Sequence, residues 1–419
     1  MKFKYTIKKS LQILLVSLFV GILICLYLTA AGLVIDFSNK VLRGDLIDFV
    51  RGLVVASMLL ISLLLLNAQF GKKWYDNGRE LIEGYYEGKG RWNPFKHIFF
   101  VFFNSLMAFF SGFLLGSEAP SVMMGSSCGL IVSRVSKDED MDLVKCAGSA
   151  GFAVAYMSPV AGLCHLIEEN KKHLSFKLIV LGLPTIALSF GLAYLFQHYI
   201  YHFHSVYMAF DSFLPFNYYP LLLLIGFLSV VVAKMYFIGY KMIARSKTIM
   251  RYMDIITFVI AIGYMVLRRF YPFLVGSGSS LFEAGLIDYA WYAIIGILLF
   301  RIVNTSLSFE ASLSGGVVVP ALAMGAVLSD LLVNLFVGVM PGLTEYASLI
   351  RFVGMLSVFA SVSGNFLTSF ALIFNSTFFF SVLPTMVSLA IAKIFDVLSN
   401  KLINKAEAKA DRDIQKRVV

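Results

Sequence analysis

The sequence predicts an all-α integral membrane protein of many tilted and broken helices arranged as an inverted repeat. Three observations predict it. Hydrophobic residues make up 59% of the 419 and charged residues only 14%, with a mean hydropathy of +0.81. A water-soluble globule carries about a quarter charged residues, so too few are present here to cover its surface. The apolar residues fall in long runs without the alternation of a barrel, and an open sheet edge cannot stand in hydrocarbon. Several of these runs are cut by small or breaking residues: Gly116-Ser-Glu-Ala-Pro120, Ser158-Pro159, Gly276-Ser-Gly-Ser-Ser280 and Ser314-Gly-Gly316 before Pro320. Such breaks free backbone N–H groups that must bind something, which points to a pathway for a solute.

The elements follow in order. Met1 to Ser10 carries four lysines and leads into an apolar run, Leu11 to Leu33. That run is too long for the core of a cleaved signal peptide and long enough for a retained span. Apolar runs continue at about 52–68, 98–133, 143–167, 176–201, 216–239, 254–267, 285–340 and 346–398. Lysines and arginines orient them. The N-terminus (Lys2, Lys4, Lys8, Lys9), the tail (Lys401, Lys405, Lys409, Arg412, Lys416, Arg417) and the segments Lys72–Lys96, Arg134–Lys145, Lys171–Lys177 and Lys234–Arg251 are basic. All of these belong in the cytoplasm. Gln197 to Pro220 holds no Lys or Arg and faces outward.

The first half therefore starts inside and ends outside, and the second half does the reverse. Pro120 precedes Gly125 by five residues, and Pro320 precedes Gly325 by five, in corresponding parts of the two halves. The expected organisation is a cytoplasmic segment 1–10, one membrane domain 11–400 and a basic cytoplasmic tail 401–419. Within the domain, pseudo-repeats at about 11–200 and 216–400 are joined by an outer linker at about 201–215. Net charge +10 is read as facing the cytoplasm and anionic lipid rather than nucleic acid. The four cysteines, Cys25, Cys128, Cys146 and Cys164, sit in apolar or small-residue surroundings. They read as buried hydrophobes, not as a disulfide or metal framework. No cofactor is expected.

Glu118 carries the most information. It is the one charged residue in the 37 residues from His97 to Ser133, a stretch that must cross outward and return. A carboxylate at membrane depth costs about 2.5–3.5 kcal/mol on insertion scales, so such residues are rarely idle. At the start of a helix the unpaired N–H groups and the dipole favour an anion. The plain reading of Glu118 is a helix cap, but Ser or Asn would cap without the charge. Glu168 and Glu169 precede Lys171, Lys172 and His173, and from composition they read as an interfacial helix end neutralised by lysines. His165 shares a helix face with them, but no second such pair supports a metal. His202 and His204 read as surface residues. Asn77 to Gly84 reads as a capped helix start.

Ser314-Gly-Gly-Val-Val-Val-Pro320 exposes N–H groups in a dry setting. A dehydrated anion needs such donors without a fixed cation to trap it; close helix packing is the plain reading of the two glycines. Together these residues describe an anion pathway whose gate is itself an anion. No His-Glu-x-x-His, Gly-x-Ser-x-Gly or paired intramembrane Asp occurs, so the chain does not read as an enzyme.

The motifs resemble those of the chloride channel and transporter (CLC) family. Gly116-Ser-Glu-Ala-Pro-Ser-Val-Met-Met-Gly125 is similar to its Gly-Arg/Lys-Glu-Gly-Pro motif. Ser158-Pro-Val-Ala-Gly-Leu-Cys-His-Leu-Ile-Glu-Glu169 is similar to its Ala-Pro-Leu-Ala-Gly…Glu-Glu segment. Arg301 and Ser314 to Gly325 resemble its Gly-Gly-x-Phe-x-Pro motif, preceded by the Gly-rich break Gly276–Glu283. The resemblance implies a homodimer with one pore per subunit, a multi-pass protein of the cell membrane with both termini cytoplasmic. It implies transport of chloride or another small anion, coupled to proton antiport. Glu118 would be the gating glutamate, Glu169 the inner proton-transfer glutamate, and Asn77, Val317 and Val318 the anion-binding positions.

The sequence departs from the family at Ser117 and Ala119 beside the gate, at Asn77 and Glu80, and at Val318, where the family has Phe. No Tyr stands near 398–410, where the family places a second hydroxyl; Asn404 and Lys405 lie there. These departures make a fluoride/proton antiporter or an uncoupled channel of the same fold the alternative.

Overall fold

In hydrocarbon a backbone satisfies its own polar groups most simply as a helix, and the apolar runs do so. The computed structural model describes residues 2–71, 74, 84, 93–138, 140–200 and 208–418, with side chains between Ile7 and Ile403. Asn77, Glu80, His202 and His204 lie outside the described residues. The helices are α1 (Lys2–Leu42), α2 (Leu46–Phe70), α3 (Pro94–Ser111), α4 (Glu118–Val135), α5 (Met141–Ala155), α6 (Pro159–Glu169) and α7 (Phe176–Tyr199). They continue as α8 (Tyr219–Arg245), α9 (Met253–Phe270), α10 (Trp291–Glu310), α11 (Val318–Phe336), α12 (Ala347–Ser363), α13 (Phe366–Ala371) and α14 (Phe378–Val418). Nine helical stretches among the described residues are long and apolar enough to cross a bilayer. Leu11, Phe19, Leu59, Leu183 and Leu223 are exposed on their outer faces, as a lipid-facing surface requires.

The breaks fall where the sequence put them. The run 98–133 splits into α3 and α4, and 285–340 splits into α10 and α11. α3 begins with Asn93 accepting from the Lys96 N–H and with Pro94 in its first turn, and ends at Gly112 with φ of 86°, a left-handed residue that stops the helix. Ser158 and Ser175 cap α6 and α7 in the same way as Asn93. Helix α1 runs well beyond the predicted 11–33, because polar contacts at both ends hold it. Lys9 Nζ lies 2.7 Å from Asp140 and 2.9 Å from Asp138, and Ser38 accepts from Arg268.

Gly125 and Gly325 each let one helix of the core press on the next. A Cβ at Gly125 would strike the Ala147 carbonyl of α5, and one at Gly325 the Gly354 carbonyl of α12. Buried arginines hold the irregular segments. Arg301, fully buried, donates to the carbonyls of Phe273, Gly276 and Ser277. Arg351 is paired to Asp330 at 2.8 Å and donates to the carbonyls of Phe282 and Glu283, while Asp330 also accepts from the Leu286 N–H. The low dielectric there makes each of these polar partners necessary to the other.

At the end predicted to be cytoplasmic, Asp140 accepts from both Lys9 and Lys177. Burial raises its pKa, but the two ammonium groups outweigh burial and hold the carboxyl below its ordinary value of 3.8. A depressed carboxylate contributes stability that is full above the unfolded pKa and is lost as pH falls through the folded one. Asp140→Asn is therefore expected to lower the melting temperature in detergent at neutral pH. The difference from wild type should close on acidification below the folded pKa. A gap of unchanged size across that titration would refute the ion-pair assignment.

Candidate functional site

The site is built where two broken helices meet. Gly116 and Gly316 pair as an antiparallel bridge, with both N–H to carbonyl distances at 2.8 Å. The bridge sets the first turn of α4 beside the first turn of α11. Neither helix has a capping side chain: Ser117 and Val317 occupy the cap positions without such a bond. The N–H groups at the head of α11 therefore need a partner from elsewhere.

Glu118 supplies it. Its side chain is 2% exposed, and it turns across the bridge to the other helix. Oε1 accepts from the Val318 N–H at 2.6 Å, and Oε2 is buried without a hydrogen-bond partner among the described residues. The two glycines leave the space it fills, since a Cβ at Gly116 or at Gly316 would fall on the carboxyl. A carboxylate held by a helix-start amide in a dry place is a charge-assisted contact reinforced by the dipole. The same geometry suits any small anion. Glu118 is thus not a cap of α4, the plain sequence reading. Val317 and Val318 are only partly buried, so the amide end of the site is less enclosed than the carboxyl.

The two acids at the end of α6 part company. Glu168 is buried and accepts from the Leu367 N–H at 2.9 Å, from the Thr368 N–H at 2.8 Å and from the Thr368 hydroxyl at 2.7 Å. It caps α13, with Lys171 a further 3.8 Å contact, so helix N–H groups rather than lysines alone satisfy it. Glu169 is exposed and accepts from Asn365 Nδ2 at 2.8 Å. Glu118 and Val318 are brought together; Glu169 stands apart at the far end of α6, and Asn77 is outside the described residues.

Two side chains near this arrangement were not assigned a transport role from sequence. Tyr156, at the end of α5, is 4% exposed, and its hydroxyl has no hydrogen-bond partner among the described residues. It lies within electrostatic reach of Glu118 and lines a small cavity with Leu322, Phe352 and Asn375. His165 stacks on Phe152 at 4.5 Å between ring centres and shares a hydrogen bond with Ser149 Oγ at 3.1 Å. The sequence signal for both was a polar group within a mostly apolar segment, the same signal that singled out Glu118.

Over 185 residues the chain is 30% identical to the H(+)/Cl(-) exchange transporter ClcA of Vibrio cholerae, a match covering 41% of this chain and 39% of that relative. The chain thus spans well under half the length of that curated relative. Two solved structures are similar in fold. A slow cyanobacterial Cl-/H+ antiporter superposes with a TM-score of 0.77 at 17% identity, covering 95% of this chain and 98% of that one. A CLC-type fluoride/proton antiporter superposes with a TM-score of 0.75 at 16% identity, covering 94% and 96%. The sequence profile of the voltage gated chloride channel family matches residues 53–396. With most of its length inside that match, and with its broken helices meeting as described, the chain belongs to the voltage-gated chloride channel (CLC) family.

Proposed function

We propose that this protein exchanges a chloride-type anion for protons across the cell membrane, with Glu118 as the gate. One observation carries the reading: a buried carboxylate oxygen sits 2.6 Å from the Val318 N–H, on the donor that a permeating anion would use. Two anions cannot share one uncapped amide at low dielectric. While charged, Glu118 therefore occupies the site. Protonation weakens its hold on the amide, since a neutral acceptor binds about half as strongly as an ionised one. The side chain then leaves, an anion takes the Val317–Val318 end, and the proton travels with the gate. Glu169, exposed at the other end of α6, is the group that loads and unloads protons on the cytoplasmic side. Asn77 completes the anion site in this reading, and two pseudo-repeats, about 11–200 and 216–400, build each subunit of a homodimer.

The relatives named above, an H(+)/Cl(-) exchanger and antiporters for chloride and fluoride, support this reading. The test is flux from liposomes loaded in parallel with chloride, fluoride or nitrate, with proton uptake recorded alongside. Chloride efflux that drives proton uptake is the expected result. Fluoride turnover well above chloride would replace the anion, in keeping with the departures at Asn77 and Val318. Anion efflux with no proton movement would sink the exchange mechanism in favour of a channel.

A further inference from the structure

We propose that His165 is the proton relay between the exposed carboxyl of Glu169 and the buried carboxyl of Glu118, with Tyr156 as the next group inward. The inference rests on the exchange reading above. Helix α6 is eleven residues long, about 16 Å at the helical rise. Most of its residues are apolar: Pro159, Val160, Ala161, Leu163, Leu166 and Ile167. A bare charge cannot cross such a wall without a group that accepts and releases it.

His165 stands at the right place. It is one helical turn from Glu169, a spacing that brings side chains to about 5–6 Å between Cβ atoms. Its ring lies nearly flat on Phe152, with centres 4.5 Å apart and planes at 15°. Phe152 in turn packs on Tyr156 at 4.8 Å, and the unpartnered Tyr156 hydroxyl is within electrostatic reach of Glu118. Phe152 therefore packs against both His165 and Tyr156, and the proposed route runs from Glu169 through His165 and Tyr156 to Glu118. A buried hydroxyl with no hydrogen-bond partner is costly to keep; a role in passing a proton gives it a partner during turnover.

The surroundings of His165 leave it free to do this. On its own helix the titratable neighbours are Cys164, Glu168 and Glu169, and Glu168 is occupied by the α13 N–H groups. Helix α5 presents Ser149 to the ring, with Lys145 a turn nearer its start. From α7, Lys177 is engaged with Asp140 and Asp142. Helix α13 and the turn Leu372–Asn375 carry no titratable side chain. The transfer balances on the ring. A proton from the Glu169 carboxyl joins one imidazole nitrogen and leaves a carboxylate. The resulting imidazolium releases the proton of its other nitrogen inward, through water past Phe152, to the Tyr156 hydroxyl, which passes its own proton to the Glu118 carboxylate. The neutral ring is left in the opposite tautomer and a ring flip resets it.

His165→Gln retains a hydrogen-bond partner for Ser149 but does not titrate, and His165→Phe retains the stack on Phe152. In liposomes both are expected to lower anion-driven proton uptake by about tenfold or more, with anion flux within about twofold of wild type. The pH dependence of proton flux should flatten in both variants, since neither replacement side chain titrates. Proton uptake equal to wild type in either folded variant overturns the relay. So does a parallel loss of both fluxes in both variants, which marks a packing role only. If wild-type protein itself moves no protons with its anion, the exchange reading fails first, and the two failures are told apart by that control.

Discussion

Glu118→Gln is expected to remove anion-driven proton uptake, by about a hundredfold or more, while anion flux continues. The amide has the size and shape of the acid, so the Gly116–Gly316 bridge and the fold around it are undisturbed. Its oxygen can still accept from the Val318 N–H, but without the charge that makes this contact strong. It therefore competes poorly with a permeating anion, and it has no proton to lose. Anion flux should also lose its dependence on pH, since the occupant of the Val318 amide no longer titrates. Liposome assays of both ions on the same preparation decide it. Full proton coupling in the Gln variant would mean that the buried carboxyl is a structural group and that the gate lies elsewhere.

Gly316→Ala is the second large effect. A Cβ at this position falls on the Glu118 carboxyl, and so does one at Gly116. What it strikes is the end of a flexible side chain, so the fold can give by moving Glu118 aside. The space that remains is then partly filled by the methyl group, and an incoming anion meets the same obstruction. Overfilling a packed site costs about 1–3 kcal/mol, roughly a fivefold to hundredfold loss of occupancy. Anion flux should fall by that order while the melting temperature in detergent changes little. Gly296→Ala, where an added Cβ meets nothing within 4 Å, is the matched control with flux as in wild type. Normal transport by the Gly316→Ala protein would show that anions do not pass between the two glycine breaks.

Much of this arrangement is legible in the sequence alone. The lone charge of Glu118 within an apolar stretch marked it as buried, and the Gly and Pro clusters marked where helices stop. Both are local facts, fixed by solvation and backbone sterics over a few residues. The pairing of Glu118 with Val318 was not legible as a bond, because the partners are 200 residues apart. Nor could spacing tell Glu168 from Glu169. Adjacent in the chain, they point to different places on a helix, and only the position of α13 makes one a cap and leaves the other exposed.

By itself, then, the sequence determined a helical membrane protein, the places where its helices break and the acid that had to be buried. Tertiary structure alone decided which amide that acid reaches, which of two glutamates is satisfied, and that His165 and Tyr156 flank one phenylalanine. The reason is physical. Hydropathy and helix-breaking act along the chain, whereas a buried polar group is satisfied by whatever donor or acceptor packing brings within about 3 Å, however distant it is in sequence.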